Sequence, residues 1–260
     1  RYIVGSYKPV RIKSNNLQLT GQYDYNNLKV ALTGFYHRLH DVAKFKHDGI
    51  YGASASIFNG SNLGFDQLLL PFWSADGTDK AKVYGGDVFF QKRISNQDHS
   101  WVFDYNLSLF SSKYRLAQNN NTYYHGRYDY GYVNNLSIGY EKNVVKIDKS
   151  IRWIASIAAH NRGGQREPVL NPLAISGVEL YKFDVPFTYM EPGYMRIDAR
   201  LVYSKKKVSS RLRHTWSLDI QNLMGKENFG YRYYDFLLKE SMVQRQLGMI
   251  PVLSYRLVFE

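Results

Sequence analysis

The side chains that most often perform catalysis are few and scattered in this sequence. It contains seven histidines and no cysteine, so disulfides, thiolate catalysis and cysteine-ligated zinc are excluded. The histidines are dispersed and have no carboxylates at the spacing of metal ligands. The one crude catalytic candidate is His160 near Arg162, together with Asp129. We therefore predict a protein that is not an enzyme and that holds no metal or cofactor.

The most distinctive segment for binding is RGGQREP at residues 162–168. Its arginines suit an anionic ligand. Its glycines and proline also suit a strand-end bulge, where glycine adopts unusual φ and ψ and proline stops strand pairing. The second interpretation is favoured, and ligand binding stays open beside it. Other loops combine aromatic residues with arginine, which suits either a ligand vestibule or an aromatic girdle. The candidate ligand contacts are Trp73, Arg162, Arg166 and Tyr231.

These loops must be positioned by strands, because apolar and polar residues alternate with a period of two along most of the chain. In the clearest segment, Trp101, Phe103, Tyr105 and Leu107 alternate with polar or smaller residues. Counting a first strand near residues 2–7, the pattern predicts about ten strands. The other predicted strands lie at residues 17–25, 28–40, 83–94, 101–114, 133–140, 151–160, 194–204, 211–223 and 251–260.

The less apolar face of these strands carries Asp, Arg, Asn, Gln and Ser. Such residues are costly in a dry sandwich core and ordinary in a water-filled lumen. Short connections (25–27, 95–100, 141–149 and 205–210) alternate with long ones (41–82, 115–129, 162–193 and 224–246). Short periplasmic turns opposite long extracellular loops are typical of outer-membrane barrels. We therefore predict an all-β protein, an antiparallel transmembrane β-barrel in a bacterial outer membrane.

The composition agrees with this interpretation. The chain has 260 residues, of which 16% are aromatic, although its mean hydropathy is −0.42. No run of about 18 apolar residues is present, so no transmembrane helix is expected. The net charge of +12 suggests nucleic acid, but the basic residues do not cluster in a binding motif. We predict that they line a lumen, mark turns or meet anionic lipid headgroups, and that nucleic acid is not a partner.

Five segments stand out along the chain: LKVALTGFYHRLHDV (28–42), SLFSSKY (108–114), GGQREP (163–168), SLDIQNL (217–223) and QLGMIPVLSYR (246–256). In this order and with this spacing, they resemble the C-terminal half of the barrel of TonB-dependent outer-membrane receptors of the Bacteroidetes type. The resemblance runs from about residue 28 to residue 259. Two departures are Glu167 before Pro168, where the family has Tyr-Thr, and Glu260 after the terminal aromatic Phe259.

The resemblance implies that residues 1–260 form the C-terminal portion of a barrel of about 22 strands, with no plug domain in this chain. It implies TonB-dependent transport of a bulky nutrient, such as a metal chelate, haem or a saccharide, bound by the extracellular loops. The implied partners are outer-membrane lipid, the TonB system, and a plug and barrel strands outside this chain. A surface lipoprotein over the loops is left open.

Two other interpretations stay open. One is a self-contained barrel of about ten strands acting as a porin or a surface protease. The other is an interaction protein that uses the barrel to anchor its loops.

Overall fold

The chain forms only strands, turns and loops in the part that the structure describes. A computed structural model describes residues 12–47, 54–56, 73–115, 122–167, 187–235, 237–238 and 240–259. The predicted strand at residues 2–7 lies outside these residues. The strands are β1 (Lys13–Tyr25), β2 (Leu28–His47), β3 (Ser54–Ser56), β4 (Trp73–Ser95), β5 (His99–Arg115), β6 (Tyr124–His125), β7 (Tyr132–Val145), β8 (Lys149–Arg162), β9 (Arg166–Glu167), β10 (Tyr189–Met190), β11 (Tyr194–Lys207), β12 (Leu212–Gln221), β13 (Phe229–Asp235), β14 (Glu240–Arg245) and β15 (Ile250–Phe259).

Nine long strands form one antiparallel meander in the order β1-β2-β4-β5-β7-β8-β11-β12-β15. The short strands β3 and β6 add to β2 and β5. Two separate hairpin-like pairs, β9 with β10 and β13 with β14, lie in the long connections. The predicted all-β class and antiparallel pairing are thus confirmed.

The short connections all lie at one end of the meander's strands, which we call the turn end. Asn26 and Asn27, with φ of 46° and 59°, make the two-residue hairpin turn whose twist matches its strands. The other turns are residues 96–98, 146–148 and 208–211. The long connections lie at the opposite end of the strands, which we call the loop end.

Two strands extend far into a segment that was predicted to be a long loop. β2 continues to His47 and β4 begins at Trp73, although residues 41–82 were expected to form one loop. The register between these strands shifts on both sides of Val42, and Asp41 has a φ of 56°. A bulge inserts an extra residue and breaks the period of two, so the alternation that reveals a strand in a sequence stops there.

Pairing register gives the meander one continuous apolar face. Residues directly opposite one another in an antiparallel pair share a face. One row runs Phe103, Ile138, Ile157, Ala199, Ile220 and Pro251, and the next runs Trp101, Tyr140, Ala155, Leu201, Leu218 and Leu253. We call this surface the apolar face.

The opposite surface, the polar face, is joined by hydrogen bonds between strands. Gln91 Nε2 donates to Asp104 at 2.6 Å, and Ser137 Oγ donates to the same carboxylate at 3.3 Å. Ser217 and Ser254 share a hydrogen bond of 2.6 Å. The polar groups of this face therefore satisfy one another across at least three pairs of strands.

No second layer covers the apolar face in the described part of the chain. Ile157 is 53% exposed and Leu253 is 77% exposed, although both lie inside strands. The one cluster of buried apolar residues found among the described residues is small and lies near the loop end, around Ala81, Tyr114 and Phe187. The part of the chain that the structure describes contains no helix with the length and hydropathy needed to cross a membrane. A sheet of this size normally buries one face against a second layer, which the described residues do not supply.

In the part of the chain that the structure describes, both outer strands of the meander have an open edge. Among the described residues, β1 pairs with β2 alone and β15 pairs with β12 alone. Their free N–H and C=O groups are available to further strands.

Candidate ligand-binding site at the loop end

Three chain segments, which contain Tyr130, Gly163-Gly164 and Glu191, meet where β8 ends. The two glycines allow the segments to approach one another closely. A Cβ on Gly163 would lie 1.9 Å from the carbonyl oxygen of Tyr130, and one on Gly164 would lie 1.7 Å from that of Glu191. Neither glycine has a positive φ, so the expected role in unusual φ and ψ was wrong. The pair is needed because two neighbouring backbones approach closely.

Arg162, a predicted contact, lies between two tyrosine rings. Its guanidinium carbon is 4.2 Å from the ring centre of Tyr130 and 5.2 Å from that of Tyr194, its direct partner across β8 and β11. These distances permit cation–π attraction to both rings. Among the described residues, no carboxylate lies within ion-pair distance of Arg162. Burial raises the pKa of the Tyr130 phenol, although the charge of Arg162 opposes that effect.

The buried carboxylate of Glu167 holds the RGGQREP segment in place. Glu167 accepts from Arg127 Nη2 at 2.9 Å and 3.1 Å, and from Gln165 Nε2 at 2.7 Å. The backbone N–H of Arg166 also donates to the carbonyl oxygen of Arg127 at 3.0 Å. Glu167 is thus the anchor of this loop.

A second buried carboxylate connects the hairpin β13–β14 to the same junction. Glu191, only 3% exposed, accepts from Arg232 Nε at 2.8 Å and lies 2.7 Å from its Nη2. The guanidinium also lies 5.0 Å from the ring centre of Tyr189. The backbone N–H of Glu191 donates to Gln165 at 2.8 Å. Each buried acid is therefore matched by one arginine, as buried charges require.

The structure brings together two of the four predicted contacts. Arg162 and Arg166 lie in the same junction, and the Nε of Arg166 is buried with no partner among the described residues. Tyr231 is exposed on β13, 6.0 Å from the ring of Tyr233, and its neighbour Arg232 joins the junction instead. Trp73 begins β4 opposite His47, and its side chain lies outside the described residues.

No family model, curated protein or solved structure matches the chain.

His160 and Asp129, which the sequence suggested as a crude catalytic candidate beside Arg162, bond to different partners and not to each other. Asp129 bonds to His125 Nδ1 at 2.5 Å and accepts from Ser111 at 3.3 Å, whereas His160 bonds to Asn135 at 2.8 Å. Ser111 and His125 both bond to the same oxygen of Asp129, so they do not form the serine-to-histidine relay of a hydrolase. In the described part of the chain, no group of three His, Asp or Glu side chains is placed to hold a metal.

Residue type pointed to Arg162, but sequence reasoning missed Tyr130, Tyr194, Arg127 and Glu191. Tyr194 faces Arg162 because of strand register, and the other three come from loops. The available signal was Gly163-Gly164, since paired glycines after a strand indicate a close backbone approach. Together these residues form what we call the Arg162 junction, in which no described carboxylate lies within ion-pair distance of Arg162.

Proposed function

We propose that the chain is the C-terminal wall segment of an outer-membrane, TonB-dependent transporter for a bulky nutrient, such as a metal chelate, haem or a saccharide. The observation that carries this proposal is the meander's two-faced surface. A face that is apolar across nine strands and uncovered suits lipid, and a face of mutually bonded polar groups suits a wet lumen.

The open edges of β1 and β15 support a wall that continues beyond this sheet. A free strand edge in hydrocarbon costs several kcal/mol for each unsatisfied backbone group. Transmembrane barrels avoid this cost by closure, so further strands would pair with both edges. Four of the five family-like segments lie on the long strands β2, β5, β12 and β15, and the fifth begins directly after β8.

The Arg162 junction is the proposed ligand contact. It lies at the loop end, and Arg162 presents a guanidinium that no described carboxylate neutralises. A cation between two tyrosine rings suits a ligand that carries an anionic or hydrogen-bonding group on a flat or bulky body. The ligand would leave this contact along the polar face.

Membrane placement can be tested with single cysteines, since the chain has none of its own. Ile157→Cys lies on the apolar face and Ser156→Cys beside it on the polar face. In intact outer membranes, we expect a lipid-soluble maleimide to label Ile157→Cys and a small water-soluble maleimide to label Ser156→Cys. Equal labelling of both positions by the water-soluble reagent would contradict the lipid-facing assignment.

Transport can be tested by deleting the gene and supplying a ferric chelate, haem or a polysaccharide as the limiting nutrient. We expect a growth defect on one of these that the intact gene restores and that loss of TonB reproduces. Arg162→Ala should raise the nutrient concentration needed for growth. Normal growth of the deletion strain on all three nutrients would refute the proposal.

A further inference from the structure

An aromatic row crosses the apolar face near the turn end. Trp153, Tyr203, Trp216 and Tyr255 are successive partners across β8, β11, β12 and β15. Their ring centres are 4.5, 5.7 and 5.2 Å apart along the row. Rows of Trp and Tyr at one height are typical of the boundary between hydrocarbon and headgroups.

Three lysines follow this row on the same face, toward the turn end. Lys205 and Lys207 lie two and four residues beyond Tyr203, and Lys149 is the direct partner of Lys207. We call these three the lysine cluster. Like charges directly opposite each other in a sheet are destabilising, so the pair formed by Lys149 and Lys207 favours a bound anion.

The protein itself supplies little negative charge to this cluster. Asp148 lies 3.7 Å from Lys149 and is largely exposed. Among the described residues, no carboxylate lies within ion-pair distance of Lys205 or Lys207. The cluster therefore carries uncompensated positive charge beside the aromatic row.

On the other side of the aromatic row, the apolar face has a groove of about 460 Å³. The small side chains of Ala155 and Ala199 leave this space, and Trp101, Tyr140 and Leu218 line it. Along β11, Leu201 in this groove is four residues from Lys205, which is about 14 Å. The lysines, the aromatic row and the groove thus lie in the order of a phosphate, a glycerol region and an acyl chain.

We propose that an anionic phospholipid binds this surface, with its phosphate on the lysine cluster and one acyl chain in the groove. This inference rests on the proposed function, because it requires the apolar face to lie in a membrane. Lysines near an anionic lipid surface each contribute about a fivefold preference for it. A zwitterionic lipid fills the groove equally well but offers the lysines no net charge.

The test uses tryptophan fluorescence in phosphatidylcholine vesicles. A small fraction of brominated lipid, which quenches tryptophan on contact, is added as either phosphatidylglycerol or phosphatidylcholine. The purified protein carries Trp73→Phe, so the three tryptophans left within residues 1–260 are Trp101, Trp153 and Trp216 of the apolar face. Any tryptophan outside these residues is also replaced by Phe. We expect stronger quenching by the brominated phosphatidylglycerol, with a preference that weakens in high salt.

The variant Lys205→Gln with Lys207→Gln should lower this preference by about fivefold for each lysine removed. Its matched control is Lys29→Gln with Lys226→Gln, which removes equal charge away from the lysine cluster and should keep the preference. Equal quenching of the parent protein by both lipids would overturn the lipid site and leave the membrane placement intact. An absence of quenching by either lipid would overturn the membrane placement itself.

Discussion

At Gly164 the backbone passes so close to Glu191 that a side chain has no room. An added Cβ would lie 1.7 Å from the Glu191 carbonyl oxygen, which is itself fixed because its residue pairs with Gln165 and Arg232. We predict that Gly164→Ala separates the two segments and costs about 2 kcal/mol, in the range of other overpacked sites. The measurement is the free energy of unfolding in detergent micelles.

Gly21→Ala is the matched control, because a Cβ on Gly21 in β1 meets nothing within 4 Å. It should change the free energy of unfolding by less than about 0.5 kcal/mol. Similar losses in both variants would show that the cost is a general one of replacing glycine and that the close approach at Gly164 has no part in it.

Residue type alone could predict Arg162 as a binding residue, but not its surroundings. The sequence shows an arginine at a strand end. Its contact with Tyr194 depends on a register fixed by the whole length of β8 and β11, and its contact with Tyr130 depends on how a loop folds back. Local patterns do not carry such information, because both tyrosines are more than thirty positions away from Arg162 in the sequence.

At the scale of elements, the alternation of apolar and polar residues with a period of two was sufficient to predict the meander's strands and which residues share a face. One face of each strand is mainly apolar over its central length, so the alternation is strong and pairing register follows from it. The pairs β9–β10 and β13–β14 were missed, because strands of two to seven residues in polar loops carry little alternation. Their positions depend on buried ion pairs, which composition does not reveal.

The hairpin β13–β14 depends on one such ion pair. Arg232 connects it to the buried Glu191, and loss of one partner of a buried pair costs about 3 kcal/mol. We predict that Arg232→Ala releases the hairpin from the Arg162 junction while the meander stays folded. Limited chymotrypsin digestion should then cut faster near the exposed Tyr231 and Leu238, without a change in the strand signal by circular dichroism.

Arg152→Ala provides the comparison, since Arg152 pairs with Glu141 at 2.8 Å but on an exposed surface. A pair of that kind contributes less than about 1 kcal/mol, so the digestion pattern should match that of the parent. If Arg232→Ala also leaves the pattern unchanged, the hairpin is held by something other than this ion pair.

At the scale of the whole molecule, strand direction limits how this sheet closes. Eight successive antiparallel pairings separate β1 from β15, so these two edge strands run in the same direction. They cannot pair antiparallel with each other, and a closed antiparallel barrel needs an even number of strands. The proposed barrel would therefore need additional strands, either the one predicted near residues 2–7 or several from outside this chain.

Disulfide trapping separates these two cases. A self-contained barrel of about ten strands would place residues 2–7 beside β15, close enough for a disulfide, which needs Cα atoms within about 7 Å. The wall segment of a larger barrel keeps them apart. With Leu253→Cys combined with a cysteine at each of residues 2–7 in turn, we predict no intramolecular disulfide under mild oxidation in the membrane.

The positive control is Leu218→Cys with Leu253→Cys, a directly opposed pair on β12 and β15 that should cross-link readily. Non-reducing electrophoresis after a cut between the two cysteines reports the bond. A disulfide from any of residues 2–7 to Leu253→Cys would establish the small closed barrel. The transport proposal would then give way to a porin, because a barrel of that size has no room for a plug and a bulky nutrient.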